Sequence, residues 1–155
     1  MIKTSDAVCR QIKEEMRYFR YLDKDAIEIL KPRLTCLQIP AGEILWSEDD
    51  PGDRVVFVAS GRIEEKKNTE FEGKQVVVGV YGPGTVLGEF GILEDHPRAF
   101  TVLALEDTDL LVLGREEFDR LLDEHPAVGV GLLKGILLAT TIRLEKSYDR
   151  LASIF

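Results

Sequence analysis

One arginine of this sequence, Arg98, lies in a stretch that is otherwise apolar and acidic. The stretch reads GEFGILEDHPRAFTV and runs from Gly88 to Val102. The guanidinium group of an arginine is a planar fork of donors that can hold two oxygens of a phosphate. Arg98 is therefore either a solvated surface residue or the positive end of an anion site.

The residues that follow Pro97 have the pattern of a strand, and the side chains of a strand alternate between two faces. Alternation places Arg98, Phe100 and Val102 on one face, and Ala99 and Thr101 on the other. If the first face points into the protein, Arg98 is a buried cation. It then needs an anionic partner, because burying an unpaired charge is costly.

Two partners for Arg98 remain open at this point, Glu89 and a bound phosphate. Residues Glu89 to Leu93 are predicted to form one helical turn after Gly88. The first amides of such a turn have no intrahelical acceptors and are available to an anion. An anion held by Arg98 and by these amides would occupy a compact pocket that partly excludes water.

Other kinds of chemistry find little support in the sequence. The two histidines, His96 and His125, each precede a proline and are expected in a loop and at a helix end. They do not have the spacing of metal ligands, and no motif of a hydrolase, a P-loop protein or a zinc protease is present. We therefore expect neither a metal site nor an enzyme.

The charge and the apolar pattern restrict the partners and the location. With 28 acidic and 20 basic residues the net charge is −8, which argues against direct binding of nucleic acid. No apolar run approaches the roughly 20 residues of a membrane span, and the N-terminus lacks the apolar region of a signal peptide. Cys9 and Cys36 are then expected as thiols in a reducing cytoplasm.

The remaining sequence predicts the elements that position this stretch, all within one domain over residues 1–155. Residues 1–34 have helical spacing, first from about Ser5 and then from Lys24 to Leu34. Residues 35–114 contain short apolar runs separated by glycine and proline turns. This pattern is typical of an antiparallel β jelly-roll barrel. Residues 115–155 are helical again, so the expected class is α+β, mainly β, with a long C-terminal helix.

The long helix is predicted from about Pro126 to Leu151 or beyond. It carries a seven-residue repeat of apolar side chains, with two polar residues at equivalent positions. The helix either packs on its own barrel or pairs with a second copy in a homodimer. The residues of the repeat are Leu133, Leu137, Thr140, Leu144, Ser147, Leu151 and Ile154.

The stretch from Gly88 to Val102 resembles the phosphate-binding cassette of cyclic nucleotide-binding domains, of the kind found in the catabolite activator protein and in protein kinase A regulatory subunits. The resemblance extends over about residues 18–147. It includes the helical opening YFRYLDKDAIEILKPRL, the glycine-spaced strands from Ile39 to Glu64, and the exit LLVLGREEFDRLLDEHP.

The resemblance implies a role for each matching position. Arg98 would bind the cyclic phosphate, and Glu89 would accept a hydrogen bond from the ribose 2′-hydroxyl. The amides near Gly88, Glu89, Phe90 and Gly91, and that of Ala99, would complete the phosphate cradle. The C-terminal helix would cover the base. Arg143 falls at a base-contacting position, unless it is simply a solvated helix arginine. The implied ligand is a cyclic nucleotide, with cAMP ahead of cGMP.

Phe100 is the main departure from the family pattern, which usually has a small residue there. Its ring could stack on a purine, pack into the core or fill the pocket.

The sequence leaves three functions open. The first is a stand-alone cyclic nucleotide sensor acting on an unidentified effector protein. The second is a degenerate domain that lost its ligand and acts in dimerisation or protein interaction. The third is a transcription factor, which the acidic charge and the end of the chain at Phe155 disfavour because no DNA-binding domain follows.

Overall fold

A computed structural model describes residues 3–4 and 16–155 of the chain. The first predicted helix, from about Ser5 with Val8 and Ile12 on its apolar side, therefore lies outside the described residues. Cys9 lies there as well. The expectation of a free thiol is wrong for Cys36, which takes part in a disulfide bond in the structure.

Within the described residues, nine β-strands form two antiparallel sheets. One sheet has the order β1-β2-β9-β4-β7 and the other has the order β3-β8-β5-β6. All strand pairs are antiparallel, as the jelly-roll prediction requires, but the sheets face each other without joining into a closed barrel. The strands are β1 Lys3–Thr4, β2 Thr35–Ile39, β3 Ile44–Trp46, β4 Arg54–Ser60, β5 Ile63–Asn68, β6 Gln75–Tyr81, β7 Val86–Leu87, β8 Thr101–Ala104 and β9 Thr108–Gly114.

The strands β4 and β9 lie side by side and are buried on both faces. Val56 and Val58 of β4 pack with the facing sheet, whereas Val55 and Phe57 of the same strand pack with the helices. A strand covered on both sides reads as a continuous apolar run rather than an alternating one. This explains why VVFV in β4 and LLVL in β9 carry no polar residue.

The helices cover the outer face of the first sheet. They are the 3-10 helix Arg17–Phe19, α1 Lys24–Leu30, the 3-10 helix Lys31–Arg33, α2 Arg115–Glu124 and α3 Pro126–Ala152. Asp23 caps α1 by accepting a hydrogen bond from the amide of Ala26 at 2.8 Å. The α-helical part ends at Leu30, short of the predicted Leu34, because Pro32 has no amide hydrogen to donate to the carbonyl of Glu28, and the chain continues as the 3-10 helix Lys31–Arg33.

The first half of α3 lies directly against backbone. A Cβ atom on Gly135 would overlap the carbonyl of Tyr18, and one on Gly131 would lie 2.9 Å from the carbonyl oxygen of Tyr21. These two glycines therefore allow the helix to approach the N-terminal helical segment closely. Leu132 and Ile136 on the same half are buried in the core.

The predicted apolar repeat of α3 divides between two faces. Leu137, Leu144 and Leu151 are exposed, as a stripe on the surface. Thr140 and Ser147 are half-buried and face the body of the protein, so they do not belong to that stripe. The exposed residues that complete it at heptad spacing are Val130, Lys134, Thr141 and Tyr148.

Helix α3 has the length and apolar character of a helix that could cross a membrane. It spans 27 residues with a mean hydropathy of 1.6 in its most apolar window, which suffices by length and composition to cross a bilayer. A core helix of a soluble protein meets the same criteria, and 39% of that window is buried inside the protein. The expectation that the chain contacts no membrane stays a prediction.

Candidate functional site

A tight turn at Gly88 brings the chain from β7 into a 3-10 helix, Glu89–Ile92. Gly88 has φ = 69°, in the left-handed region that glycine occupies without strain. A Cβ atom at this position would overlap Nη1 of Arg98, and one on Gly52 would lie 2.9 Å from its Nε. Two glycines thus make the space in which the guanidinium of Arg98 lies.

Arg98 is buried, with 6% of its surface exposed. Its guanidinium carbon lies 3.8 Å from the centroid of the Trp46 ring, a cation–π arrangement. Nη1 donates a hydrogen bond of 3.1 Å to the carbonyl of Arg54, and Nε has no partner. Among the described residues no carboxylate forms an ion pair with Arg98. Burial, followed by the nearby charge of Arg54, lowers the pKa of Arg98.

Two backbone hydrogen bonds hold the main chain of Arg98 in place. Its amide donates to the carbonyl of Asp50 at 2.8 Å, and its carbonyl accepts from the amide of Asp49 at 2.8 Å. Strand β8 begins only at Thr101, so Arg98 and Phe100 belong to the loop before it. The predicted strand alternation therefore does not apply to them, although both side chains line the same cavity.

Glu89 is not the partner of Arg98. One of its oxygens, Oε1, forms an ion pair with Nη2 of Arg143 from helix α3. Thr140 donates a hydrogen bond of 3.4 Å to the same oxygen. The other oxygen of Glu89 has no hydrogen-bond donor among the described side chains. Helix α3 thus holds the Glu89 carboxylate while one oxygen stays available.

Arg143 is not a solvated helix arginine, because only 17% of its side chain is exposed. Besides Glu89, its Nη1 donates to the carbonyl of Val86 at 2.9 Å and lies 3.5 Å from Oε1 of Glu65. The guanidinium carbon lies 5.8 Å from the centroid of the Tyr81 ring. Arg143 therefore connects α3 to both sheets.

Glu65 was not among the predicted site residues. It lies in the charged run EEKK of β5, which reads as a solvated strand. Strand alternation places it on the same face as the fully buried Ile63, and only 5% of its surface is exposed. Desolvation by burial raises the pKa of Glu65, and the charge of Arg143 opposes that rise. The alternation of side chains from Ile63, which points into the core, is the sequence signal that could have identified Glu65.

These side chains surround one cavity of about 170 Å³. All the predicted site residues line it, together with Glu65 and Trp46, which the sequence analysis did not single out. The lining residues are Trp46, Glu65, Gly88, Glu89, Phe90, Gly91, His96, Pro97, Arg98, Ala99, Phe100 and Arg143.

The charged groups follow an order along the cavity. Gly88 lies against Arg98, because a Cβ atom on Gly88 would overlap Nη1 of that guanidinium. Glu89 is the next residue, and its ion pair joins it to Arg143, which also contacts Glu65. The order along the cavity is therefore Arg98, then Glu89, then the Glu65–Arg143 pair.

Phe100 forms part of the wall and is half-buried. The ammonium of Lys67 lies 5.6 Å from the centroid of its ring and also donates to the carbonyl of Ala99 at 2.9 Å. The amide of Ala99 has no acceptor among the described residues. Next to this loop, the rings of Phe90 and His96 stack with centroids 3.8 Å apart.

A second, more open cavity of about 790 Å³ shares the walls formed by Trp46 and Arg98. It lies toward the turn Asp49–Asp53, where Asp49 adopts the left-handed conformation with φ = 72°. Within the described residues no group of three or more histidine, cysteine, aspartate or glutamate side chains has the geometry of a metal site.

A family model of the cyclic nucleotide-binding domain matches residues 36–125, which is more than half of the chain. The chain belongs to the cyclic nucleotide-binding domain family. This family consists of regulatory domains that are generally not catalytic. The matched range contains the whole cavity except Arg143, which comes from the helix beyond it.

Curated relatives include two fungal proteins. Over 110 residues the chain is 32% identical to lysophospholipase nte1 of Aspergillus oryzae, covering 71% of this chain and 7% of that protein. Over 123 residues it is 31% identical to lysophospholipase NTE1 of Coccidioides immitis, covering 76% of this chain and 8% of that protein. The chain thus spans less than a tenth of the length of these relatives.

Solved structures show the same fold. A cyclic nucleotide-binding domain from Methylobacillus flagellatus aligns with a TM-score of 0.88 at 23% identity, covering 99% of this chain and 89% of that one. The catabolite activator protein of Thermus thermophilus aligns at 0.70 and 28%, covering 88% and 63%. The regulatory domain of Toxoplasma gondii PKA, solved with cAMP, aligns at 0.62 and 29%, covering 76% and 46%.

Proposed function

We propose that this chain is a cyclic nucleotide sensor whose ligand binds in the cavity between Arg98 and Glu65. The observation that carries the proposal is the state of Arg98, a buried guanidinium whose Nε has no partner and that contacts no carboxylate of residues 16–155. A buried cation without an anion is costly, so the site favours an anionic ligand. The single negative charge of a cyclic phosphodiester matches this requirement.

The other groups of the cavity fit the rest of such a ligand. The free amide of Ala99 supplies a second donor to the phosphate. The available oxygen of Glu89 accepts from the ribose 2′-hydroxyl, while Arg143 and Thr140 hold its other oxygen. A cavity of 170 Å³ is smaller than the roughly 300–1,000 Å³ typical of small-molecule sites. Binding therefore widens it, and the walls that yield are the side chains of Phe100 and of Arg143 on α3.

This widening links the ligand to helix α3. The half of α3 before Ala139 is fixed by its glycine contacts, whereas the half beyond it carries Arg143. A ligand that changes the contacts of Arg143 favours one position of that second half over another. The response is a population shift whose size is set by the difference in contacts between the two positions.

Calorimetric titration with cAMP and with cGMP tests the proposal. Wild type binds at least one of them, and Arg98→Ala weakens binding by at least about a hundredfold, because the phosphate loses its buried charge-assisted donors. Arg120→Ala removes an exposed arginine of α2 and serves as the matched control. Equal affinity of wild type and Arg98→Ala would reject the site.

We also infer a homodimer through the exposed stripe of α3. The stripe has heptad spacing and exposes Val130, Leu137, Leu144, Tyr148 and Leu151 to solvent. Light scattering after size exclusion should give twice the chain mass. Leu144→Glu should give the monomer mass, while Glu145→Gln on the neighbouring exposed position should not change it.

A second candidate function is a degenerate domain that keeps the fold and the dimer without a ligand. It is favoured by the bulk of Phe100 in the wall and by the ion pair that Arg143 already gives to Glu89. In that case neither cyclic nucleotide changes the thermal unfolding temperature, while the dimer persists.

The remaining functional assignments are proposals on the same basis. The chain acts in the cytoplasm on an unidentified effector protein, does not itself catalyse a reaction, and contacts neither nucleic acid nor membrane. The preference for cAMP over cGMP, which the family resemblance implies, stays a prediction that the same titration examines.

A further inference from the structure

Glu65 is an unusual feature of the cavity. In the part of the chain that the structure describes, Glu65 and Arg98 are the buried charged residues, and both line this cavity. Arg98 has the expected role of an anion-binding cation. A buried carboxylate repels the phosphate of the same ligand, so Glu65 needs a different role.

The position of Glu65 indicates which part of a ligand it meets. Gly88 lies against Arg98, and Arg143 contacts both Glu89 and Glu65, so the cavity presents Arg98 first, then the carboxylate of Glu89 and then Glu65. A nucleotide has the same fixed order of phosphate, ribose and base. With the phosphate at Arg98 and the ribose at Glu89, the base lies at Glu65. This step rests on the proposed function.

The hydrogen bonds of Glu65 are incomplete. Its contact with Nη1 of Arg143 is 3.5 Å long, beyond the usual range of about 2.7–3.2 Å. No other side-chain or backbone donor bonds to its carboxylate among the residues that the structure describes. A buried carboxylate with unfilled acceptor sites favours a ligand that brings paired N–H donors.

The group nearest to Glu65 indicates what such a ligand looks like. Arg143 offers it a guanidinium, a planar carbon carrying N–H donors. The N1–H and exocyclic amine of guanine have the same arrangement around C2. Adenine lacks it, because its N1 is an acceptor and would face the lone pairs of the carboxylate. Arg143 can keep Glu89 and Val86 as partners while guanine replaces its long contact with Glu65.

We propose that Glu65 reads the base and makes the site selective for a cyclic nucleotide with a guanine-type edge, cGMP over cAMP. The structure thus argues against the preference for cAMP that the family resemblance implies. A well-placed bidentate contact of this kind discriminates between bases by about 1–3 kcal/mol, which corresponds to about five- to 150-fold in affinity.

The test compares dissociation constants for cGMP, cAMP and cyclic IMP, which keeps N1–H but lacks the exocyclic amine. Wild type should bind cGMP at least about tenfold more tightly than cAMP, with cyclic IMP between them. Glu65→Gln should shift the ratio toward cAMP by at least about tenfold, because a glutamine amide pairs with the donor and acceptor of adenine. Glu65→Val should bring the three ligands close to equal affinity.

Glu64→Gln is the matched control, because Glu64 is the neighbouring residue of the same strand, points to the other face and pairs with Lys66 at 3.3 Å. It should leave the cGMP to cAMP ratio unchanged. If Glu65 only supports Arg143, Glu65→Gln weakens both ligands equally, and the base-reading role is overturned. Preference of wild type for cAMP overturns it as well.

The outcomes also separate this proposal from the proposed function. Binding that depends on Arg98 but keeps its base ratio in Glu65→Gln rejects base reading alone. Absence of binding of all three ligands to wild type rejects the sensor function and base reading together. Thermal unfolding of each variant, measured alongside, shows that a changed ratio comes from a folded protein.

Discussion

Two arginines line the same cavity but differ in their interaction partners. Arg98 lies on Trp46 with one hydrogen bond to a carbonyl and no ion pair among the described residues, whereas Arg143 contacts the carboxylates of Glu65 and Glu89. Within the described residues, only the Arg98 end of the cavity has a cation without a carboxylate partner, which is why the proposed anion site lies at that end.

The difference has an energetic consequence. An unpaired buried cation destabilises the folded state, while stacking on an indole and one hydrogen bond offset only part of that cost. Removing Arg143 instead would leave two carboxylates without their counter-charge. The two arginines should therefore respond in opposite directions when each is replaced by an apolar side chain of similar length.

The largest effect is expected for Arg98→Met. Binding of the cyclic nucleotide should fall by at least about a hundredfold, because the phosphate loses its charged donors. The thermal unfolding temperature of the free protein should stay equal or rise, since a buried charge without an ion pair is removed. Calorimetry and differential scanning fluorimetry measure the two quantities. A clear fall in unfolding temperature would mean that Arg98 is a structural cation.

Gly88→Ala should also act strongly, through the same guanidinium. The residue has φ = 69°, and a Cβ there would overlap Nη1 of Arg98. We expect destabilisation of about 1–3 kcal/mol from backbone strain and a loss of binding from displacement of Arg98. Urea unfolding and ligand titration measure the two effects.

Gly73→Ala separates the two causes in Gly88→Ala. Gly73 has φ = 74°, and nothing lies within 4 Å of a Cβ built on it. It should reproduce the strain and leave ligand affinity unchanged. Equal loss of binding in both variants would contradict the role of Gly88 in seating Arg98.

Arg143→Met should destabilise the free protein where Arg98→Met does not. It leaves Glu65 buried without its counter-charge and removes the contact from α3 to Glu89. We expect a loss of about 1–3 kcal/mol, measured by urea unfolding. Nucleotide binding should weaken by only about three- to tenfold, since the phosphate site stays intact and Glu89 is merely less well held. A larger loss of binding in Arg143→Met than in Arg98→Met would contradict the expectation that Arg98 contributes more to nucleotide binding.

The smallest effect is a dependence of stability on pH at the Arg143 end. The pKa of Glu65 is raised above its ordinary value, chiefly by burial. Stabilisation from a raised carboxyl pKa is present below the unfolded pKa, near pH 4, and is lost as pH rises through the folded pKa. Glu65→Gln removes this titration. Its unfolding temperature relative to wild type should therefore increase from pH 4 upward.

The other charges that act on Glu65 are those of Arg143, Glu89 and Arg150. They are present in both wild type and Glu65→Gln, so the difference between the two isolates Glu65. The measurement is the difference in unfolding temperature at each pH unit from 4 to 8. A difference that stays constant over this range would show that Glu65 does not titrate with a raised pKa.

The sequence predicted the strands and the exit helices well because their signals are local. Turns with glycine and proline separate apolar runs, and Pro126 marks the start of α3. The family resemblance placed the cassette residues Gly88 to Gly91, Arg98 and Phe100, and the structure brings them to one cavity.

The contacts between distant residues could not be predicted in the same way. Which carboxylate pairs with Arg98 or Arg143 depends on how α3 lies across the sheets, and the sequence left Glu89 and a phosphate as equal alternatives. Glu65 was missed because its neighbours Glu64, Lys66 and Lys67 make the strand look solvated. Thr140 was assigned to the same stripe as Leu137 and Leu144, because heptad spacing does not show which side of a helix faces the protein.

If the proposed sensor function holds, the two glycines of α3 that lie against the backbone of Tyr18 and Tyr21 determine which part of the helix can respond to the ligand. Because the first half of the helix packs directly against backbone, only the half beyond it can change position. The reporting part therefore starts near Ala139 and carries both the Arg143 contact and the far end of the exposed stripe. In the proposed dimer, a small tilt of α3 at that point would change the distance between the C-terminal ends of the two helices. A partner protein could recognise that distance without contacting the ligand.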